Sequence, residues 1–272
     1  MTKNRIDARF EELAAAERAA FVPFFTAGDP DADTTVRLLR GSVDAGADVI
    51  ELGFPFSDPI ADGPTIQDSY HRVLERGQTV QDVFDIVSEA RKGCDLPIVA
   101  MASYSIVFRI GFDRFVERCL EAGIDGATVP DLPVDEAAGM IDQAAGAGFR
   151  LICFCAPSTT PERKELVVNH AHGFIYYMAV RGITGERDSL PTDLFGHIEE
   201  LRALTDTPVA VGFGISQPEH ARTVGRVADG VIVGSAIVKR MAAAVAERSD
   251  AAEAALEFIR TMAAATREAR TA

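Results

Sequence analysis

Eight short apolar runs recur along the 272 residues, at 21–26, 49–54, 97–103, 126–130, 151–156, 174–179, 209–214 and 231–235, each followed by a segment that can hold a helix. Strands that alternate strictly with helices imply a parallel sheet joined by right-handed crossovers. Eight such units close into a single-domain (β/α)8 barrel, the TIM barrel, whose reactive residues gather in the loops after the strands. The competing doubly wound open sheet is marked by a G-x-G-x-x-G turn after its first strand, whereas residues 27–30 read Ala-Gly-Asp-Pro. Residues 6–19 place Ile6, Phe10 and Leu13 at helical spacing, predicting an extra N-terminal helix against one end of the barrel. Residues 251–267, with Leu256, Ile259 and Met262, predict a closing helix. Ala-Gly pairs at 45–46, 122–123 and 147–148 stand between a helical pattern and an apolar run, as expected where glycine supplies a left-handed helix cap. No linker divides the chain, so the N-terminal helix (about 6–19) and the barrel (about 21–268) are read as one domain.

The second run carries an acid. Along a strand Glu51 shares a face with Val49 and Gly53, while Ile50 and Leu52 point the other way, which sets a carboxylate in a core. Pro55, Pro59 and Pro64 then prevent a helix, and two more carboxylates, Asp58 and Asp62, fall in the resulting loop beside Gly63. An acid on the strand and an acid on the loop can face one another. Structural readings stand beside this one: a buried ion pair for Glu51, and turn closure by Asp58 and Asp62. Late in the chain three glycine-bearing turns, 182–185, 212–216 and 234–235, follow strands six, seven and eight. Several N–H groups converging near a helix start bind phosphate without lysine or arginine, and barrels often place a phosphate there.

The string E-L-G-x-P-F-S-D-P-x-A-D-G-P-x-I-Q, ending at Gln67, resembles the signature of the tryptophan synthase α subunit family. Further matches are P-D-L-P-V-D-E at 130–136, A-P-S-T-T-P-E-R at 156–163 and G-S-A-I-V-K at 234–239, so the resemblance runs from about 21 to 239. It implies retro-aldol cleavage of indole-3-glycerol phosphate to indole and glyceraldehyde 3-phosphate. Glu51 and Asp62 are then the catalytic pair. Glu51, its pKa raised by burial, donates a proton and then accepts one; Asp62, ionised, accepts a hydrogen bond from the indole N–H. Carried over residue by residue, the phosphate site falls on Gly185, Gly214, Gly234 and Ser235. Thr184 helps position the catalytic loop when residues 182–191 close over the site, Tyr176 lies beside the substrate, and Phe24, Ile66, Met101 and Phe213 are candidate walls for its aromatic ring. For Tyr176 and the wall residues, ordinary barrel packing is the competing reading. The resemblance also implies a separate β subunit in an α2β2 assembly, which receives indole and carries pyridoxal phosphate; no cofactor is expected in this chain. Where the family commonly has Asn-Pro after strand three, this chain has Ser105-Ile106, in the region expected to touch that partner.

Composition narrows the alternatives. A formal charge of −14 argues against nucleic acid or an anionic membrane as partner. The acidic, lysine-poor surface fits a salt-rich cytoplasm and genome composition equally. The N-terminus lacks a signal-peptide segment and no apolar run approaches about 20 residues, so the cytoplasm is expected. Cys153 and Cys155, two apart in a strand, are read as small apolar fillers. Schiff-base aldol chemistry needs a lysine inside the barrel, but Lys3, Lys92, Lys164 and Lys239 all fall in helical or terminal segments. A metal-dependent lyase needs clustered ligands, and the five histidines are scattered. Another phosphate-binding barrel of aromatic amino-acid biosynthesis, and a non-catalytic barrel that activates a partner enzyme, remain as alternatives.

Overall fold

The computed structural model describes residues 3–60, 62–178, 193–212 and 214–269. Eight parallel strands pair in chain order, β1 (Ala20–Thr26), β2 (Ile50–Gly53), β3 (Ile98–Met101), β4 (Gly126–Thr128), β5 (Arg150–Cys155), β6 (Ile175–Met178), β7 (Val209–Gly212) and β8 (Gly230–Val233). β8 returns to β1, closing the barrel. The strand alternation sorts side chains into two cores. Phe21, Phe25, Ile50, Leu52, Ile98, Val209 and Val211 point outward under the helices, and Ala20, Val22, Val49, Val99, Ile152 and Ile232 fill the bore. Cys153 and Cys155 are buried, unpaired thiols in the outer layer, as their spacing predicts.

The expected strands are right in number and place but run one to two residues long at several C-terminal ends. Phe54, Ala102 and Val129, just past their strands, remain buried, so apolar composition outlasts the ladder. Ser235, read as the end of strand eight, opens a helix instead. Helices are also doubled after three strands. α3 (Pro64–Glu75) and α4 (Val80–Ala90) follow β2; α5 (Tyr104–Ile110) and α6 (Phe112–Ala122) follow β3; α11 (Ser235–Ala246) and α12 (Ala251–Glu268) follow β8. The remaining crossovers use α2 (Ala32–Ala45), α7 (Val134–Gly146), α8 (Pro161–His170), α9 (Leu194–Arg202) and α10 (Pro218–Gly225). Among the described residues no helix is long and apolar enough to cross a membrane.

The N-terminal helix, α1 (Arg5–Ala15), plugs the bore from the end opposite the loops after the strands, inserting Ile6, Phe10 and Leu13. It stops four residues earlier than the sequence predicts. Glu17 takes a φ of 52° and the Arg18 N–H reaches back 2.9 Å to the Leu13 carbonyl, a terminating turn that sends the chain into β1. Three corners hold the plug. After Gly46, Gly123 and Gly148, which adopt φ of 88°, 91° and 84°, come Asp48, Asp125 and Arg150. Asp48 pairs with Arg9, Asp125 with Arg5 at 2.7 Å, and Arg150 with Asp7 at 2.5 Å. One corner sequence therefore both ends a helix and aims a charge at α1.

Candidate active site

Glu51 lies on the bore face of β2, buried, with Phe24 of β1 and Val99 of β3 as its partners in register. Burial pushes its carboxyl up to about 8, and the nearby Asp62 charge adds to the rise. The opposing influence is one hydrogen bond, in which Thr128 Oγ1 of β4 donates to Glu51 Oε1 at 2.9 Å from the far side of β3. Among the described residues no ion pair neutralises Glu51, and its partner there is the Thr128 hydroxyl.

The loop from Phe54 to Gly63 separates its two acids. Asp58 is exposed and accepts from Ser57 Oγ at 2.6 Å, whereas Asp62 is buried. Desolvation pushes Asp62 up to about 7, helped by the charge of Asp131. Asp131 is itself fixed by the Ser103 hydroxyl and the Tyr104 N–H, both at 2.7 Å. The loop backbone is closed by a 3.1 Å bond from the Asp62 N–H to the Pro59 carbonyl and by Gln67, whose Nε2 donates to the Asp62 carbonyl at 2.7 Å. Pro64 then supplies the first residue of α3, where its missing N–H costs nothing. That helix is strapped to the end of β1 by a Thr26–Ser69 hydroxyl pair at 2.6 Å and by Arg72, which grips Asp29 through two bonds at 3.2 and 2.7 Å.

Three of the expected wall residues converge. Phe24, Ile66 and Met101 form one buried cluster with Tyr70 and Val238, which the sequence reading did not single out. Tyr70 follows Ile66 by one helical turn, and that i, i+4 spacing was the available signal. Its hydroxyl and the Phe24 ring crowd Gly53, where a Cβ would lie 2.7 Å from both. Tyr176 is buried in the bore with its ring 5.0 Å from that of Phe154, and its hydroxyl would meet a Cβ on Gly212 at 2.5 Å. Glycine at these two strand ends makes room for two phenols, which burial above all, and then the charges of Glu51 and Asp62, hold above the usual tyrosine range. The cluster also reaches α11, because Val238 stands on its first turn. Gly234 occupies the N-cap of that helix without a side-chain cap, and Ser235 is its first residue, so first-turn N–H groups remain for an anion. Gly214, with φ of 77°, follows β7. Thr184, Gly185 and Phe213 lie outside the described residues.

The lysines and the metal-ligand types among the described residues offer no competing chemistry at this end of the barrel. Lys239 is exposed on α11, not on the last helix, and Lys164 pairs with Glu200 at 2.8 Å. Among the described residues no three His, Cys, Asp or Glu side chains are grouped to hold a metal.

The sequence pattern of one family, described as tryptophan synthase alpha chain, matches residues 10–267. The chain is 44% identical to the tryptophan synthase alpha chain of Phenylobacterium zucineum over 271 residues, covering 99% of this chain and 98% of that one. It is 47% identical to the Rhodopirellula baltica alpha chain over 239 residues, covering 87% and 86%. The chain belongs to the tryptophan synthase α chain family. Solved structures agree. The tryptophan synthase alpha chain of Legionella pneumophila superposes with a TM-score of 0.88 at 34% identity, covering 97% of this chain and 98% of that one. The Mycobacterium tuberculosis tryptophan synthase gives 0.87 at 31% identity, covering 97% and 99%. Within this α chain, the residues that the sequence reading missed are Thr128, Asp131 and Tyr70, each touching or charging a residue that it named.

Proposed function

We propose that this α chain cleaves the carbon–carbon bond of indole-3-glycerol phosphate by a retro-aldol reaction, releasing indole and glyceraldehyde 3-phosphate. The observation that carries the reading is a pair of buried carboxyls in unlike settings, Glu51 on the bore face of β2 and Asp62 on its loop, both raised toward neutral pH. Protonated Glu51 delivers its proton to C3 of the indole, which turns the ring into an electron sink. As the bond to the side chain breaks, the resulting carboxylate takes the proton of the side-chain hydroxyl and the aldehyde forms. Positive charge grows at the indole nitrogen meanwhile, and Asp62 stabilises it as an ionised acceptor. An N–H donated to Asp62 favours its charged form and so draws its pKa down when substrate binds. Phe24, Ile66, Met101 and Tyr176 flank the ring, and the first turn of α11 with Gly234 and Ser235, together with Gly214, Gly185 and Thr184, receives the phosphate end. The chain supplies this chemistry from its own side chains; the β subunit, with pyridoxal phosphate, consumes the indole in an α2β2 assembly.

A partner surface at the mouth fits this division of labour. Ile60, on the loop that carries Asp62, is 76% exposed, and Phe108 of α5 is 75% exposed. Covering Ile60 would act directly on the position of Asp62.

The test is indole release from indole-3-glycerol phosphate by the purified chain, with and without an added β subunit. Glu51→Gln is expected to lower turnover by about a thousandfold or more while substrate affinity changes by less than about threefold. Asp62→Asn is expected to cut turnover by about a hundredfold. Activity retained in Glu51→Gln would remove the mechanism; absent activity in the native chain with the partner bound would make it a non-catalytic activator.

A further inference from the structure

The bond between Thr128 and Glu51 has no counterpart in the reading above, and it is the sole hydrogen bond to the Glu51 carboxyl among the described residues. Thr128 is fully buried at the C-terminal end of β4, paired in register with Met101 of the ring-flanking cluster. Its backbone is fixed as well, since its carbonyl accepts the Ala102 N–H at 3.0 Å. A hydroxyl on so short and immobile a stem has little freedom to seek another partner. It bridges β3 to reach Oε1, so the second oxygen, Oε2, is the one left to exchange a proton with a ligand.

We propose that Thr128 is a positioning residue for the proton transfers of Glu51: its hydroxyl anchors Oε1, presents Oε2 to the substrate, and stabilises the carboxylate stage of the cycle. The inference rests on the assignment of Glu51 as proton carrier. A threonine hydroxyl both donates and accepts, so the anchor survives when Glu51 is protonated. Once the proton has gone to C3, the donated bond stabilises the charge until the hydroxyl proton of the substrate returns it. Among the described residues, the charge that works against that carboxylate is Asp62, which approaches from the β2–α3 loop with Asp131 behind it, while the phenols of Tyr70 and Tyr176, kept neutral by burial, face the site from α3 and β6. Thr128 is the favourable contact that offsets burial and the Asp62 charge.

The experiment compares the native chain with Thr128→Val, which keeps the shape, and Thr128→Ser, which keeps the donor. The Glu51 protonation state is followed by the carboxyl C=O infrared band that disappears in Glu51→Gln, titrated against pH, beside the pH profile of kcat/KM for indole release. Loss of the donor is expected to raise the Glu51 midpoint by about one pH unit and to lower kcat about tenfold, with KM within about twofold. Serine is expected to restore both. Thr128→Ala removes the same donor with a smaller side chain and must show the same shift, which separates the bond from packing. A midpoint unmoved in Thr128→Val and Thr128→Ala overturns the proposal. An infrared midpoint that moves while the kinetic limb stays would instead overturn Glu51 as the proton carrier, and with it the catalytic half of this inference.

Discussion

Two carboxyls poised near neutrality make the reaction sensitive to pH from both sides. In the proposed reaction Asp62 has to be ionised and sits at about 7, whereas Glu51 has to start protonated and sits at about 8. The profile of kcat/KM is therefore expected to be a narrow bell, with limbs that belong to the pair because each charge acts on the other. Substrate binding lowers Asp62, so the acid limb of kcat is expected at lower pH than that of kcat/KM; steady-state rates across pH would show it, and Asp62→Asn should flatten that limb in both. The same desolvation costs stability. Between the ordinary carboxyl value of 4.5 and about 8 the folded protein holds the Glu51 proton that the unfolded chain has released, so stability falls as pH rises through that window. Glu51→Gln is expected to match the native protein near pH 4 and to exceed it at pH 8.5 by roughly 2–4 kcal/mol in urea denaturation. A difference that does not vary with pH would mean the carboxyl is hydrated. Glu51 and Asp62 were legible because charge inside an apolar run and charge among prolines stand out. Thr128 was not, because a threonine in a three-residue strand carries no pattern; its meaning arises from the register that sets β4 beside β3.

The segment from β2 through α3 behaves as one device. Gln67 reaches back to the carbonyls of Asp62 and, at 3.4 Å, Pro59, so the first turn of α3 holds the loop that precedes it. Gln67→Leu is expected to leave the fold and its melting temperature nearly unchanged and to reduce kcat/KM by about tenfold to a hundredfold, since a misplacement of about 1 Å has that scale of cost. Equal loss of stability and activity would make Gln67 a packing residue. The closing glutamine of the recognised string thus has a physical role, one that hydrophobic spacing does not reveal because its target is a backbone oxygen five residues earlier. Strand alternation was readable for a complementary reason: each strand is sealed between two apolar layers, so charge enters the strands only at the site, as Glu51, and at the plugged end, as Arg150. Helix doubling was hidden by shortness, α5 having only seven residues, and by Gly111, which ends α5 and begins α6.

At the scale of the molecule, the proposed active site lies at one end of the barrel and much of the charged architecture at the other. Asp125 joins Arg5, Arg91 at 2.9 Å and the Ile98 N–H at 2.9 Å, linking α1, the α4–β3 connection and β3. Removing it leaves the largely covered Arg91 guanidinium and a strand N–H without that acceptor. Asp125→Ala is expected to destabilise the protein by about 3–5 kcal/mol, with kcat of the folded fraction unchanged, as chemical denaturation and indole release together would show. The partners of α1 also fix a sequence of events. Its anchors at 48, 125 and 150 leave the ribosome long after the helix itself, and β1 obtains its closing neighbour β8 later still. This helix is thus made well before it can be fully seated, and until Arg150 emerges the apolar face of Ile6, Phe10 and Leu13 is something a nascent chain, or a chaperone, has to shelter.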